Sequence, residues 1–89
     1  MNSKKISNLF KVYSDKNRIE IAQLLMKEEK CACELLNDLK ISQPTLSHHM
    51  KILIDNDAVI ERREKKRTYY KMNLRNISNL IELLENGFE

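Results

Sequence analysis

The sequence predicts a mainly α-helical domain carrying one small β-hairpin, with its elements in the order α-α-α-α-β-β-α. Its 89 residues are 42% apolar and 33% charged, enough for one small core but not for a catalytic cleft between two lobes. A single Gly and a single Pro leave no material for a turn-rich β-sandwich. Apolar residues recur at helical spacing except between residues 58 and 72, where Val, Ile, Thr and Tyr gather. Residues 1–89 therefore read as one domain. No apolar run approaches the roughly 20 residues of a membrane span, and MNSKKISNLF lacks a signal peptide's apolar stretch, so a cytoplasmic protein with no membrane partner is expected.

Ile6, Leu9, Phe10 and Tyr13 place a first amphipathic helix over residues 3–13. Ser14-Asp15 supplies N-cap chemistry for a second, whose apolar set is Ile19, Ile21, Ala22, Leu24 and Leu25. After the charged break Lys27-Glu28-Glu29-Lys30, residues 32–39 form a short third helix holding Leu35, Leu36 and Leu39. Lys40-Ile41 is a tight connection, and Ser42 caps a fourth helix that opens Gln43-Pro44; proline suits a first turn, where its missing N–H has no intrahelical partner. Leu46, Met50 and Leu53 face the core, and Asp55-Asn56-Asp57 ends the helix. Ala58–Arg63 and Thr68–Met72 are strands joined by the polar segment Glu64–Arg67. Ile77, Leu80, Ile81, Leu84 and Phe88 stripe a last helix over residues 73–87.

Two short helices around a three-residue turn, the second N-capped, sketch a helix-turn-helix over about residues 32–54. The hairpin of residues 58–72 then stands where a wing would, and charge favours that role. Residues 61–71 carry six Lys/Arg against two Asp/Glu, a net of +4 in a chain of net +3. The candidate DNA contacts are Gln43, Thr45, Ser47, His48 and Lys51 on the fourth helix, with Arg62, Arg63, Lys65, Lys66 and Arg67 on the wing. A plain surface helix and a solvated charge run are the bland alternatives. His49 borders the apolar stripe and is the more packed of the two histidines. Of Tyr69 and Tyr70, one faces inward and one outward.

Both cysteines stand in Cys31-Ala32-Cys33. A structural disulfide is not expected in a cytosolic chain, and a Cys-x-Cys ring is strained. The pair is either incidental packing or a thiolate site for a soft metal or metalloid. On a regular helix positions i and i+2 lie 200° apart, so one ion would hold both sulfurs only by distorting the helix start. The pair would then act as a switch.

Cys31-Ala32-Cys33-Glu34-Leu35-Leu36 followed by Ile41-Ser42-Gln43-Pro44-Thr45-Leu46-Ser47-His48-His49-Met50-Lys51 strongly resembles the arsenical-resistance repressors of the ArsR/SmtB family. Tyr13-Ser14-Asp15, Arg18-Ile19 and the run Asn56–Ile60 extend the resemblance over nearly the whole chain. It implies a homodimeric winged-helix repressor that binds an inverted repeat of double-stranded operator DNA. It also implies release when As(III) or Sb(III), as inducer, binds Cys31 and Cys33; no permanent cofactor is expected. Some members carry a third cysteine where this chain has Leu36, so a small exogenous thiol or an oxygen would complete the site. The last helix has no histidine, which argues against the zinc-sensing arrangement of that family.

An enzyme is not expected, since there is no Cys-x-x-Cys, no Gly-rich phosphate loop and no carboxylate pair in a credible cleft. The remaining alternatives are a thiol-redox repressor and a metal-blind winged-helix interaction module. The apolar stripes of residues 3–13 and 73–87 exceed what a three-helix core covers and mark dimerisation helices.

Overall fold

The chain starts in helix α1 (Ser3–Val12), and a computed structural model describes residues 3–86. Asp15 then caps α2 (Lys16–Lys27), its carboxylate accepting from the N–H groups of Asn17 and Arg18. A two-residue strand β1 (Lys30–Cys31) leads into α3 (Ala32–Leu39). Lys40 closes α3 in the left-handed conformation, and α4 (Gln43–Asp55) follows from the cap at Ser42. Strands β2 (Val59–Glu64) and β3 (Arg67–Met72) form the hairpin, and α5 (Leu74–Asn86) completes the order. The expected positions at Gly87 and Phe88 lie outside the described residues.

The sheet has the order β1-β3-β2, antiparallel throughout, with Cys31 opposite Tyr69 and Arg62 also opposite Tyr69 on the other side. The predicted two-strand hairpin is thus a three-stranded sheet. Its third strand was too short to show a period of its own. The hairpin loop is shorter than expected: Glu64 pairs with Arg67, leaving Lys65 and Lys66 to turn. Lys40, Asp57 and Lys65 all take positive φ, near 54°, 59° and 56°, the region glycine fills most easily.

Ile21 of α2, Leu35 of α3, Met50 and Leu53 of α4 are fully buried and meet Val59, Tyr70 and Met72 of the sheet. Each such side chain contributes roughly 1.5–3 kcal/mol by leaving water. The stripe of α4 is therefore the predicted one. In α1 the buried set is Ile6, Leu9 and Val12, while Phe10 stays 55% exposed. In α2 the burial falls on Ile21, Ala22 and Leu25, and Ile19 faces out. Ile81 and Leu84 of α5 are also exposed, although α5 packs on α1 through its other side. Tyr70 is the inward tyrosine and Tyr69 is half-buried.

Candidate nucleic-acid interface and thiol site

Ser42 holds the start of α4 twice, its Oγ accepting from the Thr45 N–H at 3.2 Å and donating to Thr45 Oγ1 at 2.8 Å. With the cap so fixed, Gln43, Ser47, His48 and Lys51 stand exposed on the outer face, while Thr45 is half-buried and already hydrogen-bonded. The Lys51 ammonium donates to Asp55 one turn on, at 3.0 Å. Both partners are well exposed, and such a pair is weak enough to yield to phosphate.

The inner face is anchored by His49, which is buried as expected. The Arg18 guanidinium donates to His49 Nδ1 at 3.1 Å, to the Val12 carbonyl at 2.6 Å and to the Lys11 carbonyl at 3.3 Å. A guanidinium only donates, so Nδ1 must accept, and the ring proton sits on Nε2 beside Asn17 and Asp15. Burial holds the His49 pKa below its ordinary value, against an opposing pull from Asp15. A neutral histidine thus ties the reading helix to the end of α1 and the start of α2. Arg18 was invisible as a partner in the sequence, because 31 residues separate it from His49.

On the wing, Arg63, Lys65, Lys66 and Arg67 are exposed around the turn. Arg62 is not grouped with them. Its guanidinium donates to Glu29 at 2.7 and 3.4 Å, lies 3.5 Å from Glu64, and covers the Tyr69 ring at 4.5 Å. In the free chain this guanidinium braces the sheet against the α2–β1 connection, which sequence spacing gave no means to foresee. The Arg62 hydrogen bond keeps the Glu29 carboxyl below its usual pKa.

Cys31 lies on β1 and serves as the N-cap of α3, with extended backbone (φ −83°, ψ 162°). Its N–H donates to the Glu34 carboxylate at 3.0 Å. Because Cys31 stands outside the helix, the 200° separation does not apply. The Cα atoms are 5.4 Å apart, within the disulfide range, and the structure joins the two sulfurs. This overturns two expectations: a disulfide is present, and convergence of the sulfurs needs no unwinding of α3. Cys31 is buried and Cys33 exposed. Beside them an open groove of about 280 Å³ is lined also by Leu36, Gln43, Lys66, Arg67 and Thr68. The thiol pair, the start of α4 and the wing turn therefore share one hollow. Among the described residues no group of three or more His, Cys, Asp or Glu converges as a metal site.

A capped reading helix beside a basic-tipped wing is an arrangement for DNA, and the sequence profile of the bacterial regulatory proteins of the arsR family matches residues 15–60. The chain belongs to the arsR family. It resembles the arsenical resistance operon repressor of Staphylococcus aureus, with 43% identity over 84 residues, 94% of this chain and 81% of that protein. The repressor of the same name from Staphylococcus xylosus is 48% identical over 73 residues, 82% of this chain and 70% of the relative. Among solved structures, HlyU of Vibrio cholerae superposes with a TM-score of 0.82 at 30% identity, covering 96% of this chain and 92% of that one. The fold is therefore the winged helix of this family, and the protein is a DNA-binding transcriptional regulator rather than an enzyme. No helix of the described residues is long and apolar enough to cross a membrane.

Proposed function

We propose that this regulator is a cytoplasmic, metalloid-responsive repressor, a homodimer on an inverted repeat of operator DNA that leaves it when As(III) or Sb(III) binds the Cys31 and Cys33 thiolates. The observation that carries this reading is the placement of the two sulfurs together at the cap of α3, in one groove with Gln43, Lys66 and Arg67. The staphylococcal relatives named for arsenical resistance support the same inducer. Gln43, Ser47, His48 and Lys51 face the major groove, with Thr45 at the rim; Arg63, Lys65, Lys66 and Arg67 meet phosphate. Arg62, held by Glu29, also braces the sheet. Phe10, Ile81 and Leu84, all more than half exposed, supply the dimer interface.

The donor set fits a soft ion in part. Two thiolates converge, oxygen ligands would be too hard to replace them, and Leu36 occupies the position where a third sulfur would complete the set. The deciding experiment is fluorescence anisotropy on the operator, with As(III), Sb(III), Cd(II), Zn(II) and peroxide added separately to reduced protein. Cys31→Ser or Cys33→Ser should keep operator affinity nearly intact and abolish release by As(III). A variant that still dissociates at the wild-type As(III) concentration would overturn the two-cysteine sensor. The joined sulfurs favour one second reading, a thiol-redox repressor. In the same assay it would respond to peroxide and not to As(III).

A further inference from the structure

The groove beside the cysteines is larger than two sulfurs require, and two of its lining side chains are cationic. Cys31 and Cys33 at the start of α3, Gln43 at the start of α4, and Lys66, Arg67 and Thr68 of the wing all line it. Lys66 and Arg67 are exposed, and neither takes part in the ion pairs of the sheet, which are carried by Lys30 and Arg62. A volume of about 280 Å³ is at the small end for a ligand site and suits a molecule of a few heavy atoms rather than a drug-sized one. We infer that this groove seats a small thiol carrying a carboxylate, whose sulfur becomes the third ligand of As(III) and whose carboxylate lies against Lys66 and Arg67. The inference rests on the metalloid reading of Cys31 and Cys33 and deepens it.

The chemistry is specific on each side. This sequence offers no third thiol, since position 36 is leucine and its two cysteines are Cys31 and Cys33. An oxygen donor would leave the third bond weak, whereas an exogenous thiolate completes an all-sulfur set. A guanidinium and an ammonium together favour a carboxylate over a neutral or cationic tail. From the disulfide state, the pair first accepts two electrons and two protons from two small thiols, which leave joined as a disulfide. Arsenous acid then exchanges its three hydroxides. Each of the three thiols gives its proton to one hydroxide, three As–S bonds replace three As–O bonds, and three waters depart. Arsenic stays trivalent throughout.

The same seat explains release without unwinding α3. Lys66 and Arg67 meet DNA phosphate in the proposed complex, so a carboxylate resting on them competes for the charge that phosphate needs. Gln43, at the first position of α4, is masked by the same occupant. Ligand and operator thus contend for shared groups.

The test uses full-length protein reduced with a phosphine, desalted, and titrated with As(III) while near-ultraviolet sulfur-to-arsenic absorption is read. Mercaptoacetate, mercaptoethanol and cysteamine are supplied in turn, matched for thiolate concentration. Mercaptoacetate should tighten apparent As(III) binding roughly ten-fold more than mercaptoethanol, with cysteamine weakest. In the Lys66→Gln, Arg67→Gln double variant, which changes only exposed side chains, the mercaptoethanol titration should be unchanged and the preference for mercaptoacetate lost. Equal action of all three thiols on the wild type would overturn the seat, as would a preference that persists in the double variant. Absence of the absorption band with every thiol would instead overturn the metalloid reading, and the seat with it.

Discussion

The molecule presents two uncovered faces of opposite character. On α4 the residues turned from the core are Gln43, Ser47, His48 and Lys51, and the neighbouring wing adds Lys65, Lys66 and Arg67. On α1 and α5 the residues turned from the core are Phe10, Ile81 and Leu84. All three helices pack by the same means, an apolar stripe at helical period, so packing does not distinguish the faces. The outward residues do. A polar and cationic face loses little in water and gains from a polyanion, whereas an apolar face gains only when another apolar face covers it. The fold thus keeps the face suited to nucleic acid apart from the face proposed to meet another copy.

The comparison breaks most strongly if the apolar face is given charge. The pair Ile81→Glu and Leu84→Glu should yield a folded monomer by sedimentation and circular dichroism. Operator affinity should fall roughly a hundred-fold or more, because two half-sites no longer bind as one unit. A dimer that persists would show that the interface lies elsewhere.

Within the polar face, helix and wing should separate by sequence dependence. Replacing Lys65, Lys66 and Arg67 with Ala should weaken binding to operator and random DNA alike, and flatten the salt slope by roughly one unit per lost phosphate contact. Ser47→Ala or His48→Ala should lose on the order of 1–3 kcal/mol on the operator only. Equal losses on random DNA would make those two side chains backbone contacts.

The smallest effect concerns the joint between the two faces. The folded state holds the His49 pKa below the ordinary 6.5, mainly by burial. The unfolded chain then binds more protons than the folded one as pH falls through that ordinary value. Stability should be level above it and decline below it, and His49→Gln should remove that slope from urea titrations taken at successive pH values. Arg18, against Nδ1, opposes protonation; Asp15, near Nε2, favours it; His48 adds a further opposing charge.

What was legible in the chain was whatever is fixed by near neighbours. Ser42 and Asp15 announce their helices because a cap needs only the next three residues. Leu46, Met50 and Leu53 announce the core face because the period is local. The thiol pair and the basic turn of the candidate site were equally plain. The remainder depends on distant partners. Strand β1 exists because Lys30 and Cys31 pair with Tyr70 and Tyr69, and that pairing takes Cys31 off the helix and brings the sulfurs together. The pairing of Arg62 with Glu29 could not be seen in the sequence because 33 residues separate them. Phe10 fitted the inward period of α1, yet Val12 took the buried place.

Lys40 between α3 and α4, and Lys65 at the wing turn, both bend the backbone into the left-handed region. For a residue with a side chain this costs roughly 1 kcal/mol each, and glycine would remove the cost. It would also remove the charge. The two corners that shape the reading head are thereby fixed sources of positive potential, held on turns rather than carried on mobile tails. Such potential raises the rate at which a polyanion arrives, and added salt takes that advantage away.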